Sequence, residues 1–336
     1  MNDILTYDIK MKLSGRITQL PDSQKIFGAL IYAYAESRSA KAATQLVAKI
    51  KEGSFYFSLS NMLPMGYLPV PQSELIDRMD DHKEDSKKVY TALKKRQYLP
   101  IEKIMDWLGN PNKPDCPTPY IYSKLSQQTH NAIDSVRYDI PGMDPNLYSV
   151  PETTIIKADD QDESGAVAEE EYNQFNFYLA VEDCIEGKDL IDTLRKEQER
   201  QSLFIRGAKS SYGFNIFVIE NIASAGINYQ KDDTLYLNLG MLLPKEIDFE
   251  KSTLKLFTSE RRPYDKVGGW EDMDCTKQFI SFIEAGSIIC STNGFNQVGQ
   301  SIASPFDDRA IVFGNAFLYP FPVNQGGVQL GKVKKI

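Results

Sequence analysis

Eleven of the chain's 17 prolines fall at positions 64, 69, 71, 100, 111, 114, 117, 119, 141, 145 and 151. Proline lacks an amide donor and breaks helix interiors, and within sheets it is confined to edges, strand starts and bulges. A stretch this rich in proline cannot be one helix or one run of central strands. It divides the sequence into a regular N-terminal part, a long irregular middle and a regular remainder.

The first part reads simply. Ile4 to Leu13 alternates, with Leu5, Tyr7, Ile9, Met11 and Leu13 on one face, which predicts a half-buried strand. Asp22 or Ser23 can cap a helix whose apolar stripe is Ile26, Phe27, Leu30, Ile31 and Tyr34. An alanine-rich helix over about 40–50 and a strand at Ser54 to Leu59 follow. After the middle stretch, Phe175 to Val181 alternates as a strand and Asp189 to Arg200 reads as a helix. Arg206 to Gly213 is a Gly/Ser loop, and Phe214 to Ile222 is a strand. Strand, helix, strand, insertion, strand, helix, strand is a ferredoxin-like plan.

The insertion, about 61–172, predicts a basic helix (Lys87, Lys88, Lys94, Lys95, Arg96) and a helix from Ile101 to Leu108 with Trp107. The acidic run from Asp159 to Glu171 reads as a solvated loop. Beyond Ser224 the chain is strand-rich: Thr234 to Leu239, Thr253 to Phe257, Gln278 to Ile283, Ser287 to Cys290 and Ile311 to Phe321. The expected class is α+β. The domains are 1–223, carrying the insertion, and a shorter α+β domain over 224–336.

Charge and motifs narrow the function. The net charge is −8, which argues against general nucleic-acid binding. Seven of the negative charges lie in 159–171, however, and without them the chain is nearly neutral. Catalysis has little to work with. The two histidines, His82 and His130, sit in no nucleophile-elbow, HExxH or Walker A motif. His82 lies in a charged run that reads as solvated surface. Cys116, Cys184, Cys275 and Cys290 form no CxxC pair and read as free thiols, with no metal or cofactor expected. No apolar run approaches the ~18–20 residues of a membrane span. The N-terminal MNDILTYDIK also lacks the order of a secretory leader, so a cytoplasmic location is expected.

Three segments could bind a ligand. At the start of the first helix, Asp22 to Lys25 sit where free backbone amides and the positive end of the helix dipole can face a phosphate or base; the plainer reading is capping by Asp22 or Ser23. In Arg206 to Gly213 (RGAKSSYG), Gly207 and Gly213 allow close backbone approach. Arg206, Lys209, Ser210 and Ser211 supply phosphate donors, and Tyr212 can stack on a base. The plainer reading is a helix-to-strand turn. His130 to Tyr148 reads as a hairpin turning at Pro141-Gly142, with Arg137, Tyr138 and Tyr148 near its tip; its plainer reading is a surface hairpin.

Several segments, in order, resemble one family. They are Pro21 to Leu30 (PDSQKIFGAL), Phe57 to Pro64 (FSLSNMLP), Tyr67 to Pro71 (YLPVP) and Lys95 to Pro100 (KRQYLP). His130 to Asp134 (HNAID) with Leu147-Tyr148, Arg206 to Phe214 (RGAKSSYGF), Gly268 to Trp270 (GGW), Glu284 to Ser287 (EAGS) and Gly314 to Phe317 (GNAF) complete the set. The pattern is similar to the Cas-five-like RAMP subunit of the type III-A CRISPR (Csm) effector. It departs from that family at Arg206-Gly207, where two glycines are usual, at Asn215, and at Leu-Ser-Gly-Arg16 in place of a His-Phe-Gly signature.

The resemblance implies two ferredoxin-like (RRM-like) RAMP domains with a thumb-like insertion in the first. It implies a non-catalytic subunit holding the five-prime tag of the crRNA, joining the large signature subunit to the backbone RAMP subunit and meeting target RNA indirectly. The candidate RNA-binding residues are Arg16, Ser23, Gln24, Lys25, His130, Arg137, Tyr138, Arg206, Gly207, Lys209, Ser210, Ser211 and Tyr212. Two other readings stay open: a RAMP endoribonuclease using His130, and a protein-only scaffold.

Overall fold

The computed structural model describes residues 3–79, 90, 93–110, 118–132, 146–159, 168–207, 210–230, 234–261, 278–305 and 310–320. Strand β1 (Ile4–Ser14) leads to helices α1 (Ser23–Ser37) and α2 (Ala40–Glu52), then to β2 (Phe57–Leu59) and β3 (Leu63–Pro64). The plan resumes at β9 (Gln174–Glu182), helix α5 (Ile185–Arg200), β10 (Leu203–Arg206) and β11 (Ile216–Ser224). These strands form one antiparallel sheet in the order β10-β11-β1-β9-β2, with β3 also on β9. Asp22 caps α1 by accepting the Lys25 amide at 2.9 Å, and Gly53 ends α2 in the left-handed region at φ 72°. Helix α5 begins one turn before the expected start at Asp189.

Both faces of this sheet are covered. Ile9 and Met11 of β1 point to α1, α2 and α5, where Phe27, Leu30, Leu46, Leu190 and Leu194 complete the core. On the opposite face, Tyr178 and Ala180 of β9 meet Leu68, Trp107, Leu237 and Phe317. Every residue from Phe175 to Val181 is therefore buried, and the segment is not the half-exposed strand that alternation predicts.

The insertion builds a sheet of its own in the order β4-β5-β6-β7-β8. Its strands are β4 (Tyr67–Pro69), β5 (Tyr98–Pro100), β6 (Tyr120–Ala132), β7 (Asn146–Asp159) and β8 (Ala168–Glu171), with helices α3 (Gln72–Met79) and α4 (Ile101–Gly109) beside them. β6 and β7 pair from Tyr120–Ala158 to Ala132–Asn146, a ribbon about 40 Å long at 3.4 Å per residue. Its base is buried through Ile121, Tyr122, Ile155 and Ile156, whereas Leu125 is already 76% exposed. The hairpin is thus longer than the expected His130–Tyr148, and its expected tip lies outside the described residues. Lys87 and Lys88 of the expected basic helix lie outside them too, but Lys95 and Arg96 are placed over the rings of Tyr122 and Tyr120.

The acidic run needs correcting in part. Glu169 to Glu171 belong to β8, paired with β7, and do not form a loop. The Tyr122 hydroxyl donates to Glu169 at 2.6 Å, and burial followed by this carboxylate pushes the phenol up to about 12. Lys157 pairs with Glu170 at 2.6 Å. The cross-strand hydroxyl and ammonium thus offset the acidic charge.

Strands β12 (Leu235–Asn238), β15 (Ile288–Cys290) and β18 (Leu318–Pro320) form a three-stranded sheet in the order β15-β12-β18. β13 (Leu256–Arg261) pairs with β14 (Gln278–Ile283), and β16 (Ile302–Ala303) with β17 (Ile311–Val312). The expected long strand over 311–321 is two short ones, separated where Gly314 packs its backbone against the Leu243 side chain. Among the described residues beyond 224, the only helical segment is the 3-10 turn Phe295–Gln297. The mixed α and β class holds, while those residues lack the paired helices of a second ferredoxin-like domain. Cys184 and Cys290 are free thiols. Among the described residues no helix is long and apolar enough to cross a membrane.

Candidate nucleic-acid interface

The turn after β1 organises the site. Gly15 has φ 91°, and a β-carbon there would stand 2.1 Å from the Gly213 carbonyl oxygen. That space lets the Arg206–Gly213 loop lie directly on the chain at 15–18. The Arg16 amide donates to the Gly213 carbonyl at 3.2 Å, and the Asn215 amide donates to the Arg16 carbonyl at 2.7 Å. Asn215 takes φ 56°, the left-handed region where asparagine is the best tolerated residue after glycine. Its side chain explains the choice: Oδ1 accepts the Thr18 amide at 2.9 Å, and Nδ2 donates to the Thr18 hydroxyl at 2.9 Å. Asparagine thus supplies both the turn and a clamp.

Within the loop, Gly207 donates to the Asn215 carbonyl at 3.0 Å, and its Cα faces Asn215 too closely for a side chain. Ser210–Tyr212 form a 3-10 turn. Ser211 is exposed and Tyr212 is 69% exposed. Arg206 is exposed at the end of β10. Lys209 lies outside the described residues.

The segment 16–18 also carries the ribbon. The Thr153 amide donates to the Ile17 carbonyl at 2.8 Å, the Thr153 hydroxyl donates to the Thr18 carbonyl at 2.6 Å, and Arg16 pairs with Glu152 at 3.4 Å. Glycine loop and ribbon base are therefore fixed to opposite sides of one short stretch of chain.

The start of α1 departs from expectation. Ser23 is fully buried, and its hydroxyl accepts the Met241 amide at 3.0 Å. The Ser23 amide is taken by Asn61 Oδ1 at 2.8 Å and the Lys25 amide by Asp22. Burial and these internal partners remove Ser23 and both amides from any anion cradle. Gln24 reaches the Ile311 carbonyl at 3.5 Å. What the helix start offers is the exposed Lys25 ammonium, 3.1 Å from Asp22.

Lys25 and Arg206, remote in sequence, line one cleft of about 560 Å³ between α1 and β10. Gly207, Asn215, Thr18, Tyr32, Glu36 and Glu197 line it as well. Tyr32 was not legible as a site residue. The only signal was an aromatic off the apolar stripe of α1, and it emerges 68% exposed. His130 lies on β6, opposite Tyr148 and far along the ribbon from this cleft; Arg137 and Tyr138 lie outside the described residues.

No protein-family model and no curated protein matches the sequence. Solved structures share its fold. A chain of the Csm1-Csm4 cassette in complex with cA4 superposes with TM-score 0.54 at 15% identity, covering 95% of this chain and 100% of that one. A chain of the Csm3-Csm4 subcomplex of the type III-A CRISPR-Cas interference complex gives TM-score 0.53 at 15% identity, covering 95% and 99%. The cassette with AMPPNP gives 0.51 at 14% identity, covering 95% and 100%. The chain shares the fold of these proteins along nearly its whole length.

Proposed function

We propose that this chain is a non-catalytic RNA-binding subunit of a type III CRISPR effector complex, with the five-prime tag of the crRNA as its ligand. The observation that carries the reading is the shared fold over 95% of the chain with two assemblies whose names have Csm4 in common. The local chemistry agrees. A glycine-built loop presenting Arg206, Ser210, Ser211 and Tyr212 beside Lys25 can hold phosphates through cations and hydroxyls while an aromatic stacks on an unpaired base.

In this reading the first sheet and its helices form a ferredoxin-like RAMP domain over 1–223, and 224–336 is a second, shorter domain. The ribbon is a thumb toward the guide–target duplex. The large signature subunit and the backbone RAMP subunit are the protein partners, target RNA is met indirectly, and the complex works in the cytoplasm. His130 serves RNA contact or ribbon structure, not cleavage.

Purification of the tagged chain from its native cell tests the reading. Small RNAs sharing one five-prime sequence, together with the two protein partners, are the expected co-purifying species. Recovery of the partners without RNA would return the scaffold reading.

A further inference from the structure

We propose that the cleft between α1 and β10 is a single-nucleotide pocket that selects a base carrying an exocyclic amino group over uracil. This rests on the RNA-binding reading of the adjoining loop and adds to it a position and a base class.

The sheet register fixes which end of the cleft is which. Ser14 of β1 and Arg206 of β10 both pair with Ile216, so the two strands finish at the same edge of the sheet. Helix α1 starts from that edge and runs back. Lys25 and Arg206 therefore share one end with the glycine loop. Glu36, at the far end of α1, shares the other with Ser202 and Glu197, which flank the start of β10. The pocket is cationic where it meets the loop and anionic at its inner end.

Its walls suit a flat ring. On α1 the lining residues Lys25, Gly28, Ala29, Tyr32, Ala33 and Glu36 follow helical spacing along one face. Gly28 has open space where a side chain would stand. Tyr32 rises one turn beyond it and is largely exposed. Seven residues at 1.5 Å put Tyr32 about 10 Å along the helix from Lys25. A phosphate held at Lys25 and Arg206 then leaves its base to stack on the Tyr32 ring. The facing wall is β10, the last strand of its sheet among the described residues, so its outer backbone groups border the cleft. The volume falls in the range of small-ligand sites.

The inner end supplies discrimination. Glu197 is 8% exposed and held in place by the Ser202 hydroxyl and by Arg200 at 3.8 Å. Glu36 is exposed and lines the same cleft from α1. Carboxylates accept hydrogen bonds and donate none, so they favour the amino groups of adenine, cytosine and guanine. Uracil has no amino group, and its single N3–H donor lies between two carbonyl oxygens that carboxylates repel.

The test uses the full chain and fluorescein-labelled RNA octamers of adenylate, cytidylate or uridylate. Wild type is expected to bind the adenylate and cytidylate octamers about tenfold tighter than the uridylate one. Tyr32→Ala should weaken all three about tenfold, the size of one base–aromatic stack. Glu36→Gln, a surface change that leaves folding intact, should shrink the preference without weakening the uridylate octamer; adding Glu197→Gln should abolish it. Wild type that binds all octamers equally or prefers uridylate overturns the base selection. Tyr32→Ala binding as tightly as wild type, while Arg206→Ala binds weakly, overturns the pocket and leaves the loop reading standing. Wild type that binds no octamer overturns both.

Discussion

Gly15 and Gly213 meet backbone to backbone, with the Gly213 carbonyl oxygen occupying the place where Gly15 would carry a β-carbon. Gly15→Ala therefore combines a positive φ with a steric clash. The expected cost is ~1–3 kcal/mol, as for other strained backbone positions. A urea denaturation series should show a lower midpoint with an unchanged slope. Because the loop must lift away, RNA binding should also weaken, although residue 15 offers no side chain to lose.

Arg206→Ala and Lys209→Ala test electrostatic contact. For a single strand, each phosphate no longer neutralised should flatten the slope of log affinity against log salt by about 0.7. Titrations with labelled repeat RNA between low and high salt measure it. A slope unchanged in the double variant would rule out phosphate contact by this loop.

Asp8 gives a pH signature. It sits on the covered face of the sheet, accepting from Asn176 Nδ2 at 2.6 Å, and burial raises its pKa despite that bond and the nearby Lys10. A carboxyl whose folded pKa lies above the unfolded value makes the folded state bind more protons in between. Stability from this group is therefore greatest below the unfolded pKa and falls as pH rises through the folded one. Asp8→Asn should melt higher than wild type at pH 7, and the gap should close toward pH 4. An oxygen remains for Asn176 to donate to.

The ribbon should behave as an appendage. Its base is secured by Ile121 and Ile155 in the core and by the Thr153–Ile17 pairing. Replacing residues 133–145 by a short glycine linker should leave the melting temperature within about 2 °C. In an assembled complex, nuclease footprinting of the guide–target duplex should then shift at the tag-proximal end. An identical footprint with wild-type target affinity would make the ribbon tip a passive loop.

His130→Ala separates binding from catalysis. Target-RNA cutting by an assembled complex should persist, since the reading assigns cleavage to another subunit. Loss of all cutting with assembly intact would favour the endoribonuclease reading.

Strands and helices of the first sheet were legible because their patterns are local. Ile9 and Met11 alternate with Asp8 and Lys10, and Asp22 precedes a clear apolar stripe. What local pattern could not show was pairing at a distance. Glu169 to Glu171 look like a solvated loop; they are exposed as that implies, but pairing with Ile156 to Ala158 of β7 makes them a strand. Ser23 looks like a ligand donor until Met241, 218 residues away, takes its hydroxyl. The cleft was half legible: Arg206 and Gly207 announce themselves by composition, whereas Tyr32 needed the helix to be placed beside β10.

The first core also borrows from the last part of the chain. Phe313 stacks on Phe27 with ring centroids 4.4 Å apart, and Leu59 exchanges backbone hydrogen bonds with Asn315 and Phe317 at 3.1 and 2.9 Å. These contacts join residues more than 250 positions apart in sequence. While the polypeptide is still being made on the ribosome, the N-terminal sheet must wait with Phe27 and the edge of β2 uncovered until Phe313 to Phe317 emerge. Long-range closure of this kind is slow and leaves apolar surface open to association. A nascent chain halted before residue 313 is thus the form most in need of a chaperone.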